Sequence, residues 1–306
     1  MRTLALAVVL LTTFLARGQK ESDWRGLLDA KKFDQVNVLC TGWTASKTIA
    51  TRVEAEKCLA NLALARGPSV AILGNETGGG TLGDSASPDA VSAAVIHLKR
   101  AISLAPQDLT IHQGRLYVLE SAGRFDEMCT ALDESAAIYK GPDALQAWMA
   151  YDFELADMGQ LRAGLKFAEV LDLHYPNSHD VIGNTGTFHS MLKEYKEALP
   201  YQRRAVQLAP EDPLDAWNLG RTFAELGQTA NADLWMSKGI ALDPSGKQML
   251  DAKCFYADFV ATKLQQPERA CQLEKASCAP DRQTACERSS QPARPQPVPQ
   301  ILVPPE

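Results

Sequence analysis

Between residues 145 and 246 one pattern recurs three times at a constant interval, with Pro176, Pro210 and Pro244 as its evenly spaced closing residues. Each copy holds two helical stretches separated by a turn before its proline. The first runs Trp148, Tyr151, Leu155, Gly159, Leu161, Ala168, Leu171, Pro176; the second Thr185, Gly186, His189, Tyr195, Ala198, Gln202, Ala205, Pro210; the third Leu219, Gly220, Phe223, Gly227, Ala232, Met236, Gly239, Pro244. A unit this short cannot bury its own apolar face, so each helix pair must be completed by the next, and the chain is constrained to a stack.

The pattern continues both ways. Leu116, Leu119, Gly123, Phe125, Met128, Leu132 and Ala136 read as another helix, turn and helix, with the turn Lys140-Gly141-Pro142 in place of the closing proline. Pro106 precedes Pro176 by two periods and a short insertion that this turn can absorb, and Ala94, Leu98 and Ala101 upstream have second-helix spacing. Beyond Pro244, an apolar stripe through Met249, Leu250, Cys254, Phe255, Ala257 and Phe259 predicts an incomplete terminal unit.

Small residues where helices approach and large apolar ones where they interdigitate, at this period, resemble the tetratricopeptide repeat family over roughly residues 90 to 265. The resemblance implies an all-α fold, a right-handed superhelical solenoid of antiparallel helix pairs. Gly186 and Gly220 on first helices, and Ala198 and Ala232 on second helices, are expected at close approaches. Asp143, Asp180 and Asp215 fall near first turns, where a carboxylate can meet unpaired backbone amides.

The flanks read differently. Arg2, the apolar run Leu4 to Leu15 and Ala16-Arg17-Gly18 have the form of a secretory signal peptide over residues 1–18, which predicts export to periplasm or medium and no stable membrane span after processing. Residues 19–73 are expected to be an irregular helical cap, with a short amphipathic segment through Trp24, Leu27, Leu28 and Phe33 and a longer helix from about Thr48 to Arg66. A glycine-rich loop follows over 74–88. It lacks the lysine and Ser or Thr that a phosphate loop needs after its glycines, because Leu82 and Gly83 stand there. The solenoid is placed at 89–265, a cysteine-containing peripheral segment at 266–288 and a proline-rich disordered tail at 289–306.

Seven cysteines in an exported chain leave at least one unpaired. Cys40 and Cys58 can clip the amino-terminal region, Cys129 reads as core, and a disulfide is expected among Cys271, Cys278 and Cys286 or between one of them and Cys254. Their spacings of seven and eight do not suit zinc, which commonly takes close cysteine pairs.

No catalytic constellation, metal site or cofactor motif is expected. His174 and His179 flank an inter-repeat turn and His189 lies on the next helix, too little to define a site. The formal charge of −6, without a long basic block, disfavours nucleic acid. The resemblance instead implies a protein or peptide partner on a concave surface lined by first helices, here Gln113, Tyr117, Glu120, Met149, Phe153, Asp157, Thr187, Met191, Trp217, Arg221 and Glu225. Tyr117 and Phe153 have a second reading, half-buried between units. Family members that clamp a terminal carboxylate use lysine and asparagine; Asn218 matches one position, but Trp217 and Arg221 replace the others. The alternatives are a structural part of a cell-envelope assembly, or a small hydrolase or metal-dependent enzyme built from the irregular ends.

Overall fold

The computed structural model describes residues 24–65, 87–246, 251–278 and 286. The signal-peptide segment, the glycine run from Gly74, the stripe positions Met249 and Leu250, and the proline-rich tail lie outside the described residues. Among the described residues there are fourteen helices and no strand, and the chain divides into two compact units, Met1–Pro176 and Asn177–Glu306.

Unit 1 contains α1 (Trp24–Asp29), α2 (Phe33–Thr44), α3 (Ile49–Ala65), α4 (Pro88–Leu104), α5 (Leu109–Ser121), α6 (Phe125–Ile138), α7 (Ala144–Asp157) and α8 (Leu161–His174). The single amphipathic segment expected from Trp24 to Phe33 is two helices, because Lys31 takes a left-handed φ of 55° and turns the chain between them. Trp24, Leu28, Val36, Cys40, Cys58 and Leu62 then form one buried cluster, and a Cys40–Cys58 disulfide ties α2 to α3. The cap is therefore clipped where the sequence suggested. Further along, α5 packs on α6 and α7, and α6 lies against α8, so first helices stack on first and second on second. Cys129 is buried and unpaired; burial pushes its thiol up to about 11, which keeps it unreactive.

Unit 2 contains α9 (His179–Met191), α10 (Tyr195–Leu208), α11 (Pro213–Glu225), α12 (Thr229–Leu242), α13 (Ala252–Thr262) and α14 (Pro267–Ser277). Its core is built from Val206, Trp217, Leu219, Phe223, Met236, Tyr256, Phe259 and Val260 with smaller neighbours. The last pair is complete, not truncated. The segment assigned to the periphery from residue 266 supplies α14, which packs on α13, and disulfides Cys254–Cys278 and Cys271–Cys286 fasten it. Disulfides supply what the fading motif does not.

The repeats share their turns in detail. Gly123, Gly159 and Gly227 take φ of 66°, 72° and 72° between first and second helices, and Lys193 takes 63° at the equivalent place. Each turn closes with the same pair of backbone bonds, for example Gln160 N to Leu155 O at 2.8 Å and Gly159 N to Ala156 O at 3.0 Å. Glycine reaches this conformation without a Cβ penalty; Lys193 carries one.

Close approaches fall at the expected glycines. A Cβ on Gly220 would sit 2.6 Å from the Met236 backbone nitrogen, and one on Gly186 would sit 2.7 Å from Gln202 Cγ. In the repeat before them the same position is Asp152, fully buried, and the facing second-helix residue is the small Ala168. The side chains that cap α9 and α11 precede Asp180 and Asp215, the acids singled out from sequence, and Asp143 stands at the cap of α7 without capping it. Asp108, Ser178 and Asp212 accept from backbone amides at their helix N-termini, while the Asp143 carboxylate accepts instead from the Tyr139 hydroxyl at 2.7 Å.

Candidate functional site

In each unit the first helices bury one face and present another to water. Trp148, Tyr151 and Leu155 of α7 are buried, whereas Phe153, between them in sequence, is 61% exposed. Residues 153 and 154 are successive on the helix and so point about 100° apart, which lets Phe153 face outward while Glu154 turns towards α5. The half-buried reading of Phe153 is thus replaced by an exposed ring, while Gln113, Tyr117 and Met149 are partly buried and Asp157 is exposed.

Glu120 departs from expectation. It is only 7% exposed, and its carboxyl hydrogen-bonds that of Glu154 across α5 and α7. Burial first, then the Glu154 charge and that hydrogen bond, push Glu120 up to about 8; burial and the nearby Asp157 raise Glu154 as well. Two carboxyls in this position share a proton instead of both ionising.

In unit 2, Thr187, Arg221 and Phe255 stand one repeat period apart on α9, α11 and α13, a single register position repeated. Phe255 is 50% exposed, the Arg221 guanidinium lies 5.5 Å over its ring, and Trp217 meets its edge at 6.0 Å. Thr187 Oγ1 accepts from Asn218 Nδ2 at 3.5 Å. Burial, the Glu225 charge and a hydrogen bond to it raise the Tyr195 phenol, with Arg221 opposing, so Arg221, Glu225 and Tyr195 form one charged edge beside the aromatic one. Met191 is 45% exposed on the same helix as Thr187.

Trp217 must be corrected as a groove anchor. It is 7% exposed and packs over Gly239, where an added Cβ would lie 2.9 Å from the Trp217 nitrogen. A glycine on the second helix draws the indole inward, and Phe255 takes the outward place. Sequence reasoning missed Phe255 because it lay on an apolar stripe read as core; its position one full period after Arg221 was the available signal.

The histidines do not converge on a catalytic arrangement. His174 bonds Asp133 at 2.7 Å, His179 bonds Asp215 at 2.9 Å and His189 bonds Glu194 at 2.9 Å, each with its own carboxylate. Among the described residues no three His, Cys, Asp or Glu side chains gather as metal ligands, and no helix is long and apolar enough to cross a membrane.

The shared turns, glycine contacts and closing prolines settle the architecture. The helix pairs are tetratricopeptide-like. No protein-family model and no curated protein matches the chain. Among solved structures, MamA residues 41 to the end from Desulfovibrio magneticus RS-1 is similar at 19% identity and a TM-score of 0.42, covering 60% of this chain and 96% of that one. YrrB, described as a TPR protein with an unusual peptide-binding site, is similar at 17% identity and 0.43, covering 62% and 97%. PilW, a type IV pilus biogenesis factor, is similar at 17% identity and 0.41, covering 61% and 84%.

Proposed function

We propose that the protein is an exported, noncatalytic scaffold that binds an extended protein or peptide segment on its first-helix surfaces. The observation that carries this reading is Phe255 in unit 2, half exposed beneath Arg221, on a helix whose other large apolar side chains are buried. Burying a fully exposed ring is worth about 1.5–3 kcal/mol, and the half of this ring still in water leaves about half of that gain to a partner. Arg221 adds directional donors above the ring, and an aromatic side chain paired with arginine is the composition that dominates binding energy at interfaces.

Export is supported by cysteine usage as well as by the amino-terminal pattern. Six of the seven cysteines are paired, which suits an oxidising compartment. The test is to crosslink the tagged protein in its native cell and compare recovered partners with those of Arg221→Ala and Phe255→Ala. Loss of one partner with unchanged helicity supports the surface; recovery of every partner by both variants sinks it. Turnover that survives rigorous purification would favour an enzyme instead.

A further inference from the structure

We propose that unit 1 carries a receptor for one basic side chain, a lysine or arginine of the bound segment, at the Glu120–Glu154 carboxyl pair between α5 and α7. The inference rests on the reading that first-helix surfaces bind polypeptide, and adds what unit 1 recognises.

The fold does not require this pair. At the equivalent register in unit 2 stand Ser190 and Thr222, whose hydroxyls meet at 3.1 Å, with Gln202 Nε2 donating to Ser190 at 3.1 Å. Both hydroxyls are met there, although Gln202 Oε1 is itself buried without a partner. In unit 1 the place corresponding to Gln202 is Leu132, fully buried and without a donor. Glu120 is more than nine-tenths buried, and its Oε1 accepts no hydrogen bond from any described residue. Gln113 lies two turns earlier on α5, on the same face, and its Oε1 is also buried without a partner. A buried acceptor left unmet carries a desolvation cost that is larger for a group able to ionise than for a neutral amide, so the Glu120 oxygen is the one that marks an unfilled place.

The missing component is a donor. Asp157, one turn beyond Glu154, adds negative potential, Tyr117 and Tyr151 are the other titratable groups close to the pair, and the exposed Phe153 ring flanks Glu154 in sequence. An ammonium has three N–H donors and a guanidinium five, with no acceptor, which complements a set of oxygens that only accept. A calcium ion would need six or more oxygens, and no three-ligand cluster of His, Cys, Asp or Glu is present among the described residues. The shared proton gives the site a signature. With Glu120 pushed up to about 8, the pair enters binding protonated at pH 7, and an arriving cation favours its ionised form. Binding therefore releases a proton.

Isothermal titration of the mature chain with two acetylated, amidated octapeptides tests this. They differ only at a central arginine or citrulline flanked by leucines, and each is titrated at pH 7 in buffers of different ionisation enthalpy. The arginine peptide is expected to bind at least tenfold more tightly and to release close to one proton. Glu120→Gln, alone and with Glu154→Gln, should abolish both the preference and the release while leaving helicity intact. Arg221→Ala should keep the arginine preference, so a failure of the unit 2 surface shows separately, as unchanged binding of both peptides in that variant. Equal affinity for the two peptides, no binding of either, or an arginine preference that survives in the double variant overturns the inference.

Discussion

Replacing Glu120 with glutamine should stabilise the protein, and do so increasingly as pH rises. In the unfolded chain this carboxyl ionises near the ordinary 4.5, whereas in the fold it stays protonated until about 8. Between those values the unfolded chain binds fewer protons than the fold, so stability is full below 4.5, falls through the window and levels off above 8. At about 1.4 kcal/mol for each pH unit the window sets a ceiling of about 5 kcal/mol. Because water and side-chain rearrangement relieve part of the strain on a buried charge, about 2–3 kcal/mol is the expected difference at pH 8.5. Urea denaturation followed by far-ultraviolet circular dichroism, at pH 5 and pH 8.5 for wild type and Glu120→Gln, isolates the effect of the pair, because the titrating groups outside it are common to both. The variant should resemble wild type at pH 5 and exceed it at pH 8.5. Parallel stabilities at both pH values, or a variant weaker at both, would refute the buried shared proton.

Gly220→Ala should destabilise unit 2 by about 3 kcal/mol, because the new methyl meets the Met236 backbone nitrogen and no rotamer change can move it away; a denaturation midpoint equal to wild type would be inconsistent with that approach. Lys193→Gly should instead stabilise by about 1 kcal/mol, since it removes the left-handed strain at a turn position where Gly123, Gly159 and Gly227 stand in the other motif repeats, and a thermal melt reads this directly. Cys254→Ala with Cys278→Ala should cost about 3 kcal/mol, visible as faster amide exchange in α13 and α14 with α9 unaffected; uniform protection would show that the staple is not needed.

The helix pairs were legible because their constraints are local and repeated. A glycine or alanine at a close approach, a glycine at the turn and a proline after the second helix each leave a mark at a fixed place in most periods. The ends were less legible for a physical reason. An end pair lacks one neighbour, so α14 need not carry the packing motif, and two disulfides hold it instead. The split of α1 from α2 depends on Lys31 in a left-handed conformation, which no turn residue announces. Within the candidate surfaces, Phe153, Arg221 and Met191 stand exposed, but burial of Trp217 and Glu120 depends on what the facing helix offers, Gly239 in one case and Glu154 in the other. Such pairings across helices are tertiary facts, and spacing along one helix does not encode them.

Binding at the first-helix surface is tested most directly by a photo-crosslinking amino acid placed singly in the native cell. Phe255 and Met191 are the test positions on first helices, and Leu234, 61% exposed on second helix α12, is the matched control. Discrete adducts to the same polypeptide from positions 255 and 191, absent from position 234, are the expected result. Adducts from position 234 alone, or the same adducts from all three, would contradict binding at the first-helix surface.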